Sequence, residues 1–144
     1  MIKQSNIKNL FIDARFSLLL LAPMPVWIYL YCVNGISYRD TLMVFLTIGV
    51  LYPIAEEVLF RGLIQPFLSQ RLSAKTSIIS ASNMITSALF SAAHLINHPP
   101  IWALATFIPS LIFGYTQERY KSLNAPIILH CSYNAGYFLV AGQL

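Results

Sequence analysis

The sequence predicts an all-α fold, a polytopic transmembrane bundle of about five spans. Three observations predict it. Of 144 residues, 57% are hydrophobic and 10% are charged, where a soluble domain carries about a quarter charged. Long apolar segments recur without the two-residue alternation of barrel strands. The cations also sort by side. With a cytoplasmic N-terminus, Lys3, Lys8, Arg15, Arg71, Lys75, Arg119 and Lys121 fall inside and Arg39 falls outside, which is a positive-inside pattern. The same numbers exclude an ordinary cytosolic enzyme and a disordered chain. Nine scattered Lys and Arg, net charge +4, form no basic stripe for nucleic acid.

The chain reads as one integral-membrane domain, 1–144. The first apolar segment covers about residues 16–33. Basic residues before it give it the look of a secretory signal. The run instead continues through Pro23, Pro25 and Trp27 with no small-residue cleavage site, so it is expected as a retained span. The others are expected at 41–68, 76–96, 101–116 and from 123 onward. Cys32 and Cys131 lie in apolar stretches and read as unpaired apolar side chains. Pro53 and Pro66 interrupt the second segment. Each is expected to leave a carbonyl without its partner, at Gly49 and Gly62 respectively.

Five ionisable residues fall inside these segments: Glu56, Glu57, Arg61, His94 and His130. Each costs at least about 2.5–3.5 kcal/mol at a bilayer centre, so the set needs a cause. One cause is structural, a group of buried ion pairs holding helices together. The other is chemical. Glu57 and Arg61 stand at i and i+4 in the favourable order, so they are expected to pair. Glu56 points about 100° away and is left for a cavity. Phe90–His94 and His130–Asn134 share the four-residue spacing, and Asn83 and Ser87 extend a polar stripe toward His94.

A carboxylate, two imidazoles, a carboxamide and a guanidinium can make a hydrolytic site. Glu56 suits a general base on water, with His94 sharing the proton or orienting the water. His130 and Asn134 suit donors to the oxyanion of a tetrahedral intermediate. The same Glu56, His94 and His130 are one carboxylate and two imidazoles, a catalytic zinc set with an open position. Their spacing is not that of the helical zinc motif, so both mechanisms stay open. His98, in Asn97-His98-Pro99-Pro100, reads as a loop histidine, and Trp102 and Tyr120 read as interfacial anchors. A non-catalytic alternative also stands, an immunity or adaptor component or a small proton-coupled transporter. No internal repeat supports a transporter.

Glu56-Glu57-Val58-Leu59-Phe60-Arg61 matches EExxxR, Phe90-Ser91-Ala92-Ala93-His94 matches FxxxH, and His130-Cys131-Ser132-Tyr133-Asn134 matches HxxxN. In this order on apolar helices, the three motifs resemble the CAAX-protease and bacteriocin-processing (CPBP, or Abi) family over about 41–144, with the first span as an extra. The resemblance implies a compact bacterial member in the cytoplasmic membrane, N-terminus inside. It implies an endopeptidase cutting near the C-terminus of a membrane-associated protein or peptide, with C-terminal sorting tails one possible substrate. It implies that Glu56 and His94 activate water and that His130 and Asn134 form the oxyanion site. It favours a glutamate-type mechanism without a cofactor, with zinc as the alternative.

One geometric demand follows. In ideal spans His94 lies about 18 residues, or roughly 27 Å, from the cytoplasmic end of its helix, and His130 about seven residues, or roughly 10 Å. One shared site therefore requires the third helix to begin deeper or tilt, with the turn at 97–100 sunk below the membrane surface.

Overall fold

The computed structural model describes residues 7–36, 41–72, 75–76 and 78–141. Lys3, Arg39 and Asp40, on which part of the charge sorting falls, lie outside the described residues, as do the side chains of Lys8 and Lys75.

Helix α1 (Ile7–Ile12) ends at Asp13, where the backbone turns extended and the carboxylate accepts from Arg15 N at 2.8 Å. That is an N-cap, and α2 (Ala14–Leu21) starts from it. With α3 (Met24–Asn34), which starts after the Pro23 turn, it makes an apolar rod of 21 residues with mean hydropathy 1.9. Gly35 follows at φ +69°, a backbone state that suits glycine.

The second rod, Leu42–Ser69, has 28 residues and mean hydropathy 1.8. Thr41 caps it by accepting from Val44 N. It alternates between two helical registers. Helix α4 (Leu42–Leu46) passes into a π-helical stretch, Thr47–Leu51; α5 (Tyr52–Glu57) passes into a second, Val58–Ile64; α6 (Gln65–Ser69) ends it. In each π stretch the hydrogen bond before a proline spans five residues, Tyr52 N to Thr47 O and Gln65 N to Phe60 O. In that register each proline also withholds a donor from the carbonyl five residues back, Ile48 and Arg61, beside the Gly49 and Gly62 carbonyls expected for a plain α-helix.

These two rods are long and apolar enough to cross a membrane, and 6% and 17% of their apolar windows are buried inside the protein. A soluble core helix would be mostly buried.

The third segment is not helical from residue 76. Lys75–Thr76 (β1) pairs antiparallel with Ile79–Ser80 (β2) in a small hairpin. Helix α7 is Ala81–His94, started by Ser80, whose hydroxyl accepts from Asn83 N at 3.0 Å. At 14 residues it rises about 21 Å, short of a hydrocarbon core of about 30 Å. The third helix therefore does begin later than its apolar segment. The fourth segment is also not one helix. Helix α8 (Pro100–Ala105) breaks at Thr106 before α9 (Phe107–Tyr120). Pro109 explains the break: it fits the first turn of α9 but would interrupt a continuous helix. Lys121 ends α9 in the left-handed region at φ 52°, and α10 is Asn124–Ala141.

The apolar core joins the beginning and end of the chain: Leu10 and Phe16 pack with Phe113, Ala125 and Leu129, all 0–1% exposed. The first rod is thus no mere extra to the motif helices. Tyr133 of α10 donates its hydroxyl hydrogen to Leu19 O. At Gly136 a Cβ would stand 2.3 Å from the Trp27 ring, so that ring occupies the space a side chain would need. Cys32 and Cys131 are free.

Candidate active site

Glu56 and Glu57 close α5 between the two π stretches. Adjacent in sequence, they meet different surroundings: the Glu56 side chain is 32% exposed and that of Glu57 is 0% exposed.

The Glu57–Arg61 pair forms as expected, Oε1 to Nη1 at 3.1 Å, with both side chains fully buried. Arg61 also donates Nη2 hydrogens to the Ser110 carbonyl at 2.9 Å and to its hydroxyl. Its guanidinium carbon lies 4.8 Å from the Phe90 ring centre and 5.5 Å from that of Phe113. Cation–π contact and charged hydrogen bonds thus offset its desolvation.

Glu57 does more than pair with Arg61. The same Oε1 accepts from His130 Nδ1 at 2.8 Å. A carboxylate only accepts, so the Nδ1 position carries the proton, and the ring's other nitrogen is fixed in direction. That nitrogen, Nε2, stands 3.6 Å from Glu56 Oε2. Phe113 stacks on the His130 ring at 4.6 Å and 21°, holding its plane. Arg61, Glu57, His130 and Glu56 thus form one line from a buried cation to a partly open carboxylate.

His94 closes α7 at the edge of this line. Its Nδ1 donates to the Phe90 carbonyl at 2.9 Å, which leaves Nε2 free to accept a proton. The Phe90 ring joins the two histidines, lying 4.5 Å from His94 and 5.7 Å from His130 between centroids. His94 is also near enough to Glu56 for the two to interact electrostatically.

Asn134 lies one turn beyond His130 on α10. Its Nδ2 donates to Ile48 O at 3.2 Å. That is a carbonyl from which Pro53 withholds a donor in the π register, and the carboxamide satisfies it. One Nδ2 hydrogen remains for a ligand, so Asn134 braces the second rod as well as facing the site.

Among the described residues no group of three His, Cys, Asp or Glu side chains is placed to hold a metal ion, Glu56, His94 and His130 included.

His98 lies in the turn between α7 and α8, the loop position expected for it, and there it stacks on His94 at 5.8 Å and lies 4.0 Å from Trp102 between ring centroids. Trp102 donates to Tyr137 Oη at 3.1 Å, so it ties helices together. Tyr137 was missed from the sequence. The signal was there: residues 130, 134 and 137 lie at i, i+4 and i+7, one face of α10.

A turn beyond Arg61, a second buried polar group joins the second rod to α7 and α9. Gln65 Nε2 donates to Gly114 O at 3.1 Å and to Glu118 Oε1 at 2.8 Å, and Ser80 also donates to Glu118. Glu118, unremarkable in the sequence, is a structural anchor. Gly114 permits the approach, since a Cβ there would meet Asn83 Oδ1 at 1.9 Å.

Comparison with known proteins bears on this arrangement. Residues 38–136 match the family model described as type II CAAX prenyl endopeptidase Rce1-like, a stretch that contains all three motifs. The chain is also similar to an uncharacterised 24.3 kDa protein of Escherichia coli, 34% identical over 94 residues. Those residues are 65% of this chain and 42% of that protein, so the chain spans less than half the length of this relative. No solved structure matches. With a family model covering well over half of its residues, the chain belongs to the Rce1-like family of type II CAAX prenyl endopeptidases.

Proposed function

We propose that this protein is an intramembrane endopeptidase that hydrolyses a peptide bond near the C-terminus of a membrane-associated protein or peptide. One observation carries the reading. A partly open carboxylate, Glu56, faces an imidazole whose other nitrogen is held by a fully buried Glu57–Arg61 pair. Purely structural ion pairs need no such opening.

Glu56 takes a proton from water as the water oxygen attacks the scissile carbonyl. His94, with Nε2 free, orients that water or shares the proton. His130, its Nδ1 side held by Glu57, turns its Nε2 side toward the developing oxyanion as the hydrogen-bond donor, with the spare Asn134 hydrogen beside it. Collapse of the tetrahedral intermediate breaks the C–N bond, and the proton held by Glu56 passes to the leaving amine. The 3.6 Å between Glu56 and His130 is longer than a hydrogen bond, as in many catalytic sites before substrate binds.

No step requires a metal or cofactor. The proposed setting is a bacterial cytoplasmic membrane, multi-pass with the N-terminus inside, and the partners are the bilayer and the substrate's C-terminal segment rather than nucleic acid. Processing of C-terminal sorting signals is the narrower form of the proposal.

The test is Glu56→Gln in the full chain. Cells carrying it should accumulate an uncleaved membrane protein that wild-type cells process, identified by its retained C-terminal peptide. Normal processing with the variant expressed at wild-type level would reject Glu56 as the base. Chelator dialysis of purified protein should leave activity intact, and loss restored by zinc would favour the metal mechanism.

A further inference from the structure

The helix that carries His94 and the helix that carries His130 are tied a second time, beyond the reacting groups. Trp102, in the first turn of α8, donates its indole hydrogen to Tyr137 Oη at 3.1 Å. Tyr137 lies on the His130–Asn134 face of α10. Trp102 also packs 4.0 Å from His98 and 5.7 Å from His94 between ring centroids. His98 in turn stacks on His94 at 22°, and its backbone N–H donates to His94 O at 3.0 Å.

His94 needs such support. The hydrogen bond made by its ring runs to its own helix, at Phe90 O. It is the last residue of a helix of only 14 residues, where ends fray. Phe90, at 4.5 Å, lies on the same helix, so the placement of the His94 ring against the rest of the bundle rests on aromatic packing with Trp102 of α8 and His98 of the intervening turn.

We propose that Trp102, Tyr137 and His98 are positioning residues that hold His94 over the reacting centre. The Trp102–Tyr137 hydrogen bond is the cross-tie between α8 and α10, and His98 is the spacer that transmits it to the His94 ring. The proposal rests on the peptidase reading for its kinetic consequence but not for its structural one.

Trp102→Phe and Tyr137→Phe each delete one half of the tie and keep a ring. Each should lower kcat about fivefold, the size of one neutral hydrogen bond, with KM unchanged. Because they remove the same bond, the double variant should lose no more than either single one. Unchanged kcat in both overturns the proposal, and so does a rise in KM alone.

A second readout needs no substrate: the rate at which diethyl pyrocarbonate modifies each histidine, followed by mass spectrometry. Trp102→Ala and Tyr137→Phe should speed modification of His94 severalfold and leave His130 unchanged. Equal His94 rates in wild type and variants overturn the tie. Faster His94 modification in a protein that cleaves no peptide overturns the peptidase reading and keeps the tie.

Discussion

Two buried polar groups sit about one turn apart on the second rod, and both reach across to α9. At Gln65 the amide bonds Gly114 O and Glu118, and Ser80 also donates to that carboxylate. At Glu57 the carboxylate bonds Arg61 and His130, but the line continues to Glu56, which is 32% exposed. Both groups end on a half-buried carboxylate, Glu118 in the first and Glu56 in the second. In the first that carboxylate is engaged by Gln65 and Ser80; in the second Oε2 faces a histidine nitrogen at 3.6 Å, beyond hydrogen-bond length. Buried polarity alone does not mark a catalytic site, and in the proposed function the distinguishing feature is a carboxylate left without a short hydrogen bond beside an oriented imidazole.

Breaking the open end should give the largest effect. Glu56→Gln should cost about 10²- to 10⁴-fold in turnover, the range for a general base. Its melting temperature should stay near wild type, because the side chain is partly exposed and Glu57 still holds the His130 ring. Equal losses of activity and stability would merge the two groups into one structural class.

Glu57→Gln breaks the buried middle of the line. It strands Arg61 and frees the His130 ring, so it should cost about 3–5 kcal/mol of stability as well as activity. Denaturation in mild detergent would read the first loss and cleavage the second. A stable, inactive Glu57→Gln protein would show that orientation of His130 outweighs the ion pair.

At the Gln65 group, Gln65→Ala should cost about 1–3 kcal/mol, the penalty for leaving buried polar partners unpaired. Turnover per folded molecule should remain near wild type. A large loss of turnover there would mean that the two groups are coupled through the rod.

The smallest effect should be at the exposed Asp13–Arg119 pair, 3.2 Å apart. Burial pushes the Asp13 carboxyl up, but the Arg15 backbone N–H and then Arg119 outweigh it, and the group ionises below its usual range. A depressed folded-state value stabilises above the unfolded-state value of about 3.9 and fades as pH falls through the folded one. The melting temperature should therefore dip below about pH 4, and Asp13→Asn should flatten that dip slightly.

Much of this site was legible one helix at a time. The i, i+4 spacing of Glu57 and Arg61 predicted a pair that is present at 3.1 Å. The Phe90–His94 spacing predicted one shared face, and the two rings pack together. What the sequence hid lay between helices or in the helical register. Nothing local says that His130 shares the Glu57 oxygen, since the two are 73 residues apart. The Asn134 contact could not be read because it depends on a π register in which Pro53 also withholds a donor from Ile48 O. The late start of α7 was readable, since Ser80 three residues before Asn83 is an N-cap pattern inside an apolar segment. The helical class was clear from composition. The span count was not, because apolar length also counts residues that form a hairpin or a break.

The contact between Trp27 and Gly136 has a consequence for biogenesis. During synthesis Trp27 emerges more than a hundred residues before the glycine it packs against. Until α10 arrives, the indole lacks this seat and Glu56 and Glu57 lack His130. The long-range closure that seats Trp27 is thus the same event that brings His130 to the two carboxylates, so under the proposed function a half-made chain holds no assembled centre.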